Sequence, residues 1–166
     1  MADTCSFDIT TGCDLQEVDN AVNQARKELT QRYDFRNVTF TIELKRSENQ
    51  LHLTAPDEFK LEALWDVLQT KMIRRGVPVK NLQRQDAQGA SGMTLRQQID
   101  LTQGIDADTS RAIVKFIKEQ KLKKVQAAMQ KDQLRISGPS RDDLQQVMSL
   151  LRQQDFGLEL TFGNYR

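Results

Sequence analysis

The chain has 166 residues, 38% of them apolar and 28% charged, enough for one or two small cores at about 100–150 residues per domain. Its 24 Lys and Arg against 23 Asp and Glu leave a net charge of +1, so no global field draws the molecule to nucleic acid or membrane and any anion site is local. No apolar run reaches the roughly 18–20 residues of a membrane span, and the opening residues lack the basic and apolar regions of a secretory signal, so a cytoplasmic protein with no membrane partner is expected.

Near the start, Ser6-Phe7-Asp8-Ile9-Thr10 alternates as a strand between Cys5 and Cys13. If extended, that segment holds the two thiols about 25 Å apart, beyond disulfide reach. After Asp14, a natural N-cap with Glu17 three residues on, Leu15, Val18, Val22, Ala25 and Leu29 recur at helical spacing and predict a helix to about residue 33. Val38, Phe40, Ile42 and Leu44 then alternate with polar residues as a half-buried strand, and Ser47-Glu48-Asn49 turns it into a partner over residues 51–54. A second helix from Asp57 carries Leu61, Leu64, Trp65, Leu68 and Met72 and stops at Gly76. Val77-Pro78-Val79 can open a short edge strand, and the small polar run QDAQGASG, residues 85–92, reads as a linker.

Beyond it the same order returns: strand 93–102, helix 106–121, hairpin 123–130 and 133–137 about Lys131-Asp132, helix 140–154 and strand 158–162. The caps Asp14 and Asp106 stand 92 residues apart and Asp57 and Ser140 83 apart, so the arrangement is duplicated with trimmed loops. The fold class expected is α+β, two tandem ferredoxin-like βαββαβ domains at 1–88 and 93–166, each an antiparallel sheet with both helices on one face. The first strand is central in this topology, so an exchange of first strands between the units is compatible with it.

Catalytic and metal signals are missing. A single histidine, His52, no Cys-x-x-Cys or His-x-x-x-His spacing, no nucleophile triad order and no glycine-rich phosphate loop leave neither an enzyme nor a cofactor expected. Charge is more informative: residues 1–92 hold 12 basic and 14 acidic side chains, residues 93–166 hold 12 and 9. Between 107 and 124 the local net charge is +4, and Arg111, Lys115 and Lys118 share a helix face that Lys121 and Lys124 can extend, with Lys123 beside them, a stripe suited to phosphates or simply a solvated face. Phe116 lies within this segment, on the apolar stripe that also holds Ile113. The strands that carry base-stacking aromatics in RNA-recognition motifs read LHLTA and LRISG here, without an aromatic. Arg32-Tyr33-Asp34-Phe35-Arg36, at the exit of the first helix, offers two guanidiniums able to read a guanine edge and two rings beside them.

SFDI at 6–9, the DLQEVDNAVNQARKEL helix, RYDFR at 32–36, QGID at 103–106, VKFIKEQKLK at 114–123, SRDDLQQVM at 140–148 and the terminal DFG with NYR resemble the bacterial YajQ family over nearly the whole chain. Pro139 stands where the family tends to carry lysine. The resemblance implies exchanged first strands and a non-catalytic nucleotide-binding role: a cyclic di-GMP effector acting on a transcription regulator, or a binder of RNA or transfer RNA. A protein-interaction adaptor without a nucleotide is the remaining alternative. Under the first reading the contacts expected are Arg32, Tyr33, Phe35 and Arg36 together with Lys115, Phe116, Lys118, Lys121, Lys123 and Lys124.

Overall fold

The computed structural model describes residues 4–122 and 124–166. In chain order the elements are β1 (Cys5–Thr10), α1 (Leu15–Gln31), β2 (Thr41–Lys45), β3 (Gln50–Ala55), α2 (Glu58–Arg74), β4 (Leu82–Arg84), β5 (Gln88–Ala90), β6 (Thr94–Leu101), α3 (Ala107–Glu119), β7 (Gln126–Gln130), β8 (Gln133–Gly138), α4 (Arg141–Arg152) and β9 (Thr161–Gly163). The helix starts follow their caps. Asp14, Asp57 and Asp106 accept backbone N–H groups of Gln16, Lys60 and Thr109 at 3.0, 2.8 and 2.7 Å, and the Ser140 hydroxyl accepts from Asp143 at 3.3 Å. Each cap satisfies a donor that the helix itself leaves without a partner.

The chain forms two compact units, Cys13–Gln103 and residues 4–12 with Gly104–Arg166. In the first, the α1–α2 unit, the strand order is β2-β3-β6-β4, with β5 paired along β6. In the second, the α3–α4 unit, it is β7-β8-β1-β9. All pairings are antiparallel. Each is the ferredoxin-like order, with the place of the first strand taken by the first strand of the other repeat: β6 lies between β3 and β4, and β1 between β8 and β9. The units are therefore interleaved in sequence and do not follow the cut at 88 and 93, because β1 and β6 each belong to the sheet of the other half.

Period-two burial explains which face each strand gives to its helices. In the α1–α2 unit Ile42, Leu51, Leu53, Ala55, Ile99 and Leu101 are buried with Val18, Val22, Ala25 and Leu29 of α1 and Leu61, Leu64, Leu68 and Met72 of α2. In the α3–α4 unit Phe7, Ile9, Leu134 and Ile136 pack with Ile113, Ile117, Leu144, Val147, Met148 and Leu151. Full burial of such side chains stabilises by roughly 1.5–3 kcal/mol each.

Three segments depart from the sequence expectation. The stretch 85–92 is held against a sheet and contains a strand: Gln85 N donates to the Gln98 carbonyl at 2.9 Å, and Gln88, Gly89 and Ala90 pair with Arg96, Leu95 and Thr94. Backbone groups alone make that pairing, so small polar residues suffice. The strand expected at 77–79 begins instead at Leu82, after a 3-10 turn over Val79–Asn81, where the fully buried Asn81 amide donates to the Thr102 carbonyl at 3.0 Å. Finally, α3 ends at Glu119, and Lys121 and Lys124 sit beyond it at φ of 56° and 66°. They do not extend the helical lysine face. Among the described residues no helix is long and apolar enough to cross a membrane, and no three His, Cys, Asp or Glu side chains gather as a metal would need.

Candidate functional site

In the α1–α2 unit the segment after α1 folds into a 3-10 turn, Tyr33–Phe35, because Phe35 is drawn into the core while its neighbours stay in solvent. Phe35 is 4% exposed and meets Phe40 edge to face, with ring centroids 5.5 Å apart. It anchors the turn, so it is not an open stacking ring. Tyr33, by contrast, is 85% exposed. Arg32 holds Asp34 through two bonds, Nε to Oδ1 at 2.9 Å and Nη2 to Oδ2 at 2.7 Å. That guanidinium keeps the Asp34 carboxyl below the ordinary carboxylate range and raises its own pKa in return. Arg36 is exposed and forms no ion pair among the described residues.

The start of α2 completes this patch, which the linear motif alone does not reveal. Lys60 Nζ donates to the Asp34 carbonyl and lies 5.1 Å from the Phe35 ring centroid and 5.9 Å from that of Phe59. The guanidinium carbon of Arg32 lies 5.8 Å from the Phe35 ring. Phe59 itself is 76% exposed. Lys60 thus joins the turn to the first residues of α2, and these two segments carry two solvent-facing rings, Tyr33 and Phe59, and the cations Arg32, Arg36 and Lys60. Such a combination can stack a planar base and neutralise an anion. In sequence, Phe59 and Lys60 look like ordinary first-turn residues of a helix; only tertiary packing brings them to RYDFR.

The remaining expected residues lie on the α3–α4 unit. Lys115 and Lys118 are exposed on α3, and Arg111 beside them is tied to Asp108 at 2.9 Å. Lys118 occupies the last turn, where positive charge complements the helix dipole. Lys121 and Lys124 follow in the loop, exposed and without ion pairs among the described residues, and Lys123 lies outside the described residues. Phe116 packs edge to face on Phe156 at 5.9 Å and joins the margin of the core, so it is a packing residue of α3. The expected contacts therefore divide between the two units, Arg32 to Arg36 on one and the lysines on the other.

Similarity to known proteins fits a site of this chemistry. The family described as nucleotide-binding protein YajQ-like matches residues 5–166. A nucleotide-binding protein of Chloroherpeton thalassium is 45% identical over 166 residues, covering both chains completely. Another, from Geotalea daltonii, is 47% identical over 161 residues, 97% of this chain and 98% of that one; one from Desulfitobacterium hafniense is 45% identical over the full length of both. With a match across almost every residue and relatives of equal length, the chain belongs to the YajQ-like family of nucleotide-binding proteins.

Proposed function

We propose that the protein is a non-enzymatic receptor for cyclic di-GMP, with a guanine held at the patch formed by Arg32, Tyr33, Arg36, Phe59 and Lys60, and that it passes the signal to a protein partner in transcription regulation. The observation that carries this reading is the seating of Lys60 on the Tyr33–Phe35 turn, which joins two segments that each expose an aromatic ring, Tyr33 on one and Phe59 on the other. Rings exposed to this degree lose hydration cost when a base covers them, and an arginine fork matches the O6 and N7 acceptors of guanine. Lys115, Lys118, Lys121 and Lys124, on the α3–α4 unit, form a cationic surface of their own that can attract phosphate.

Calorimetric titration with cyclic di-GMP, with GTP as control, tests the proposal. Saturable binding of the dinucleotide, weakened at least tenfold in a folded Tyr33→Ala/Arg36→Ala variant, is the expected result. Absence of binding overturns the reading. So does tight binding of single-stranded RNA with a steep loss of affinity in salt, since that slope counts the phosphates neutralised and marks an RNA-binding module.

A further inference from the structure

Each sheet ends in an edge strand that belongs to a hairpin, β2 in the α1–α2 unit and β7 in the α3–α4 unit, and the two edges are finished differently. β2 reads TIELK: Lys45 and Glu43 pair along it at 2.8 Å, and Arg26 of α1 donates to the Ile42 carbonyl. Charge and a side-chain cap of this kind deny an edge to a further strand. β7 reads QAAMQ, with neither charge nor proline. Lys118, which like Arg26 stands twelve residues after the N-cap of its helix, makes no hydrogen bond among the described residues. Among those residues β7 pairs with β8 alone.

The hairpin fixes which groups this edge offers. Its two-residue turn, Lys131-Asp132 with Lys131 at φ 48°, closes on Gln130 opposite Gln133. In such a hairpin the closing residues exchange both backbone bonds, and hydrogen-bonded pairs alternate from there along the strands. Gln130, Ala128 and Gln126 therefore bond inward to β8, whereas the N–H and C=O groups of Ala127 and Met129 point outward. The side chains of Ala127 and Met129 share the helix-side face with their buried cross-strand partners Ile136 and Leu134. Ala127 packs at the margin of the core, but Met129 is 49% exposed. Backbone groups without a partner beside an exposed apolar side chain mark an edge open to a further strand.

We infer that β7 pairs antiparallel with the β7 of a second copy of this chain, joining two four-stranded sheets into one across a two-fold axis at Ala128. The edge is self-complementary about that residue. Of the antiparallel registers that match outward groups with outward groups, only this one overlaps all five residues of the strand. It sets Ala127 opposite the partner's Met129, a small side chain beside a large one, so each copy covers the methionine that the other exposes. Gln126 falls opposite the partner's Gln130, and their amides can exchange hydrogen bonds. Beyond the strand, the loop carrying Lys124 comes beside the partner's turn at Asp132, and neither residue is in an ion pair among the described residues of one chain. Opposite charges at both ends of the pairing fix its direction and register. A foreign strand matches this pattern only if its own sequence supplies it, whereas a second copy always carries it.

Sedimentation equilibrium of the full chain from low to high micromolar concentration, with disulfide trapping, tests the inference. A contact made by one short strand is small and transient, so the expected result is a weight-average mass that climbs with concentration from 19.1 kDa towards twice that value. Met129→Lys puts a charge on the edge and is expected to hold the mass at that of the monomer throughout. Ala128→Cys brings two thiols together at the axis, where a non-hydrogen-bonded pair holds its Cα atoms about 4.5 Å apart, inside the roughly 4.4–6.8 Å that a disulfide spans. Under mild oxidation this variant is expected to form a covalent dimer about tenfold faster or more than the unsubstituted chain with its own Cys5 and Cys13, because pairing raises the local thiol concentration. Gln126→Cys and Gln130→Cys are expected to cross-link when mixed and not when alone. Each variant is shown folded by circular dichroism. A monomer at every concentration overturns the inference and leaves a strand of another protein as the occupant to be sought. A dimer that Met129→Lys leaves intact, one that Ala128→Cys does not trap, or one in which Gln126→Cys cross-links alone has its contact or its register elsewhere, and overturns it as well. No nucleotide enters the inference, so these outcomes leave the cyclic di-GMP titration unaffected.

Discussion

Asp8 shows how a single residue ties the α3–α4 sheet together. It is 6% exposed although it points away from the helices, because Arg135 across the strand pair donates to Oδ1 at 2.9 Å and Asn164 donates to Oδ2 at 2.7 Å. The Arg135 hydrogen bond lowers the Asp8 pKa against the opposing effect of burial. Asp8 therefore binds its proton more weakly folded than unfolded. Its share of stability is complete above the ordinary carboxylate range and is lost as pH falls through the depressed folded value. Replacing Arg135 by methionine leaves a nearly buried carboxylate without its cation and is expected to cost about 2–3 kcal/mol at pH 7, less than for a fully buried pair since Arg135 is 31% exposed. Urea unfolding at pH 7 and pH 3 checks this: the gap between the two proteins narrows at pH 3, and an equal gap at both would mean that the loss is one of packing.

At the scale of elements, local pattern and tertiary pairing divide the information. The four helices and the hairpin around Lys131-Asp132 are legible in the sequence because a cap and an apolar stripe lie within one stretch. The strand at Gln88–Ala90 is not, since it has no apolar residue larger than alanine and exists by backbone pairing to β6. The same limit applies to the site. RYDFR is visible as a cation-rich turn, but burial of Phe35 and the arrival of Phe59 and Lys60 depend on how α2 packs. The loop after α3 offers a test of its backbone conformation. Lys121 is held at φ 56°, a left-handed conformation that costs a non-glycine residue roughly 1–2 kcal/mol. Lys121→Gly is expected to raise stability by about 0.5–1 kcal/mol. Thermal unfolding reads the effect, and an unchanged midpoint would show that the left-handed conformation at this position carries no strain.

For the whole molecule, the exchange of first strands decides which piece of chain is a folding unit. Sequence periodicity shows that β1 and β6 are equivalent strands, yet it carries no label for the sheet each joins; that choice rests on cross-strand partners such as Asp8 with Arg135 and on Gln97. The Gln97 side chain is 7% exposed on the helix side of β6, where its amide donates to the Gln85 carbonyl at 2.8 Å and its oxygen accepts from Arg84 Nη2 at 3.1 Å. Those partners lie in the α1–α2 unit, so β6 is matched to that sheet. Residues 13–103 then contain a complete four-stranded order in one uninterrupted stretch, whereas 1–88 lacks β6 and leaves β3 and β4 without the strand between them. A fragment of residues 13–103 is expected to unfold cooperatively, and residues 1–88 to show no cooperative transition, because a missing central strand removes Ile99 and Leu101 from the core and unpairs both neighbours. The single tryptophan, Trp65, is 6% exposed in that core, so its fluorescence during urea titration follows both fragments with one probe. Equal, cooperative stability of 1–88 would mean that β1 can replace β6 in the sheet, and that exchange is then a choice made by the linked chain and not by the strand faces.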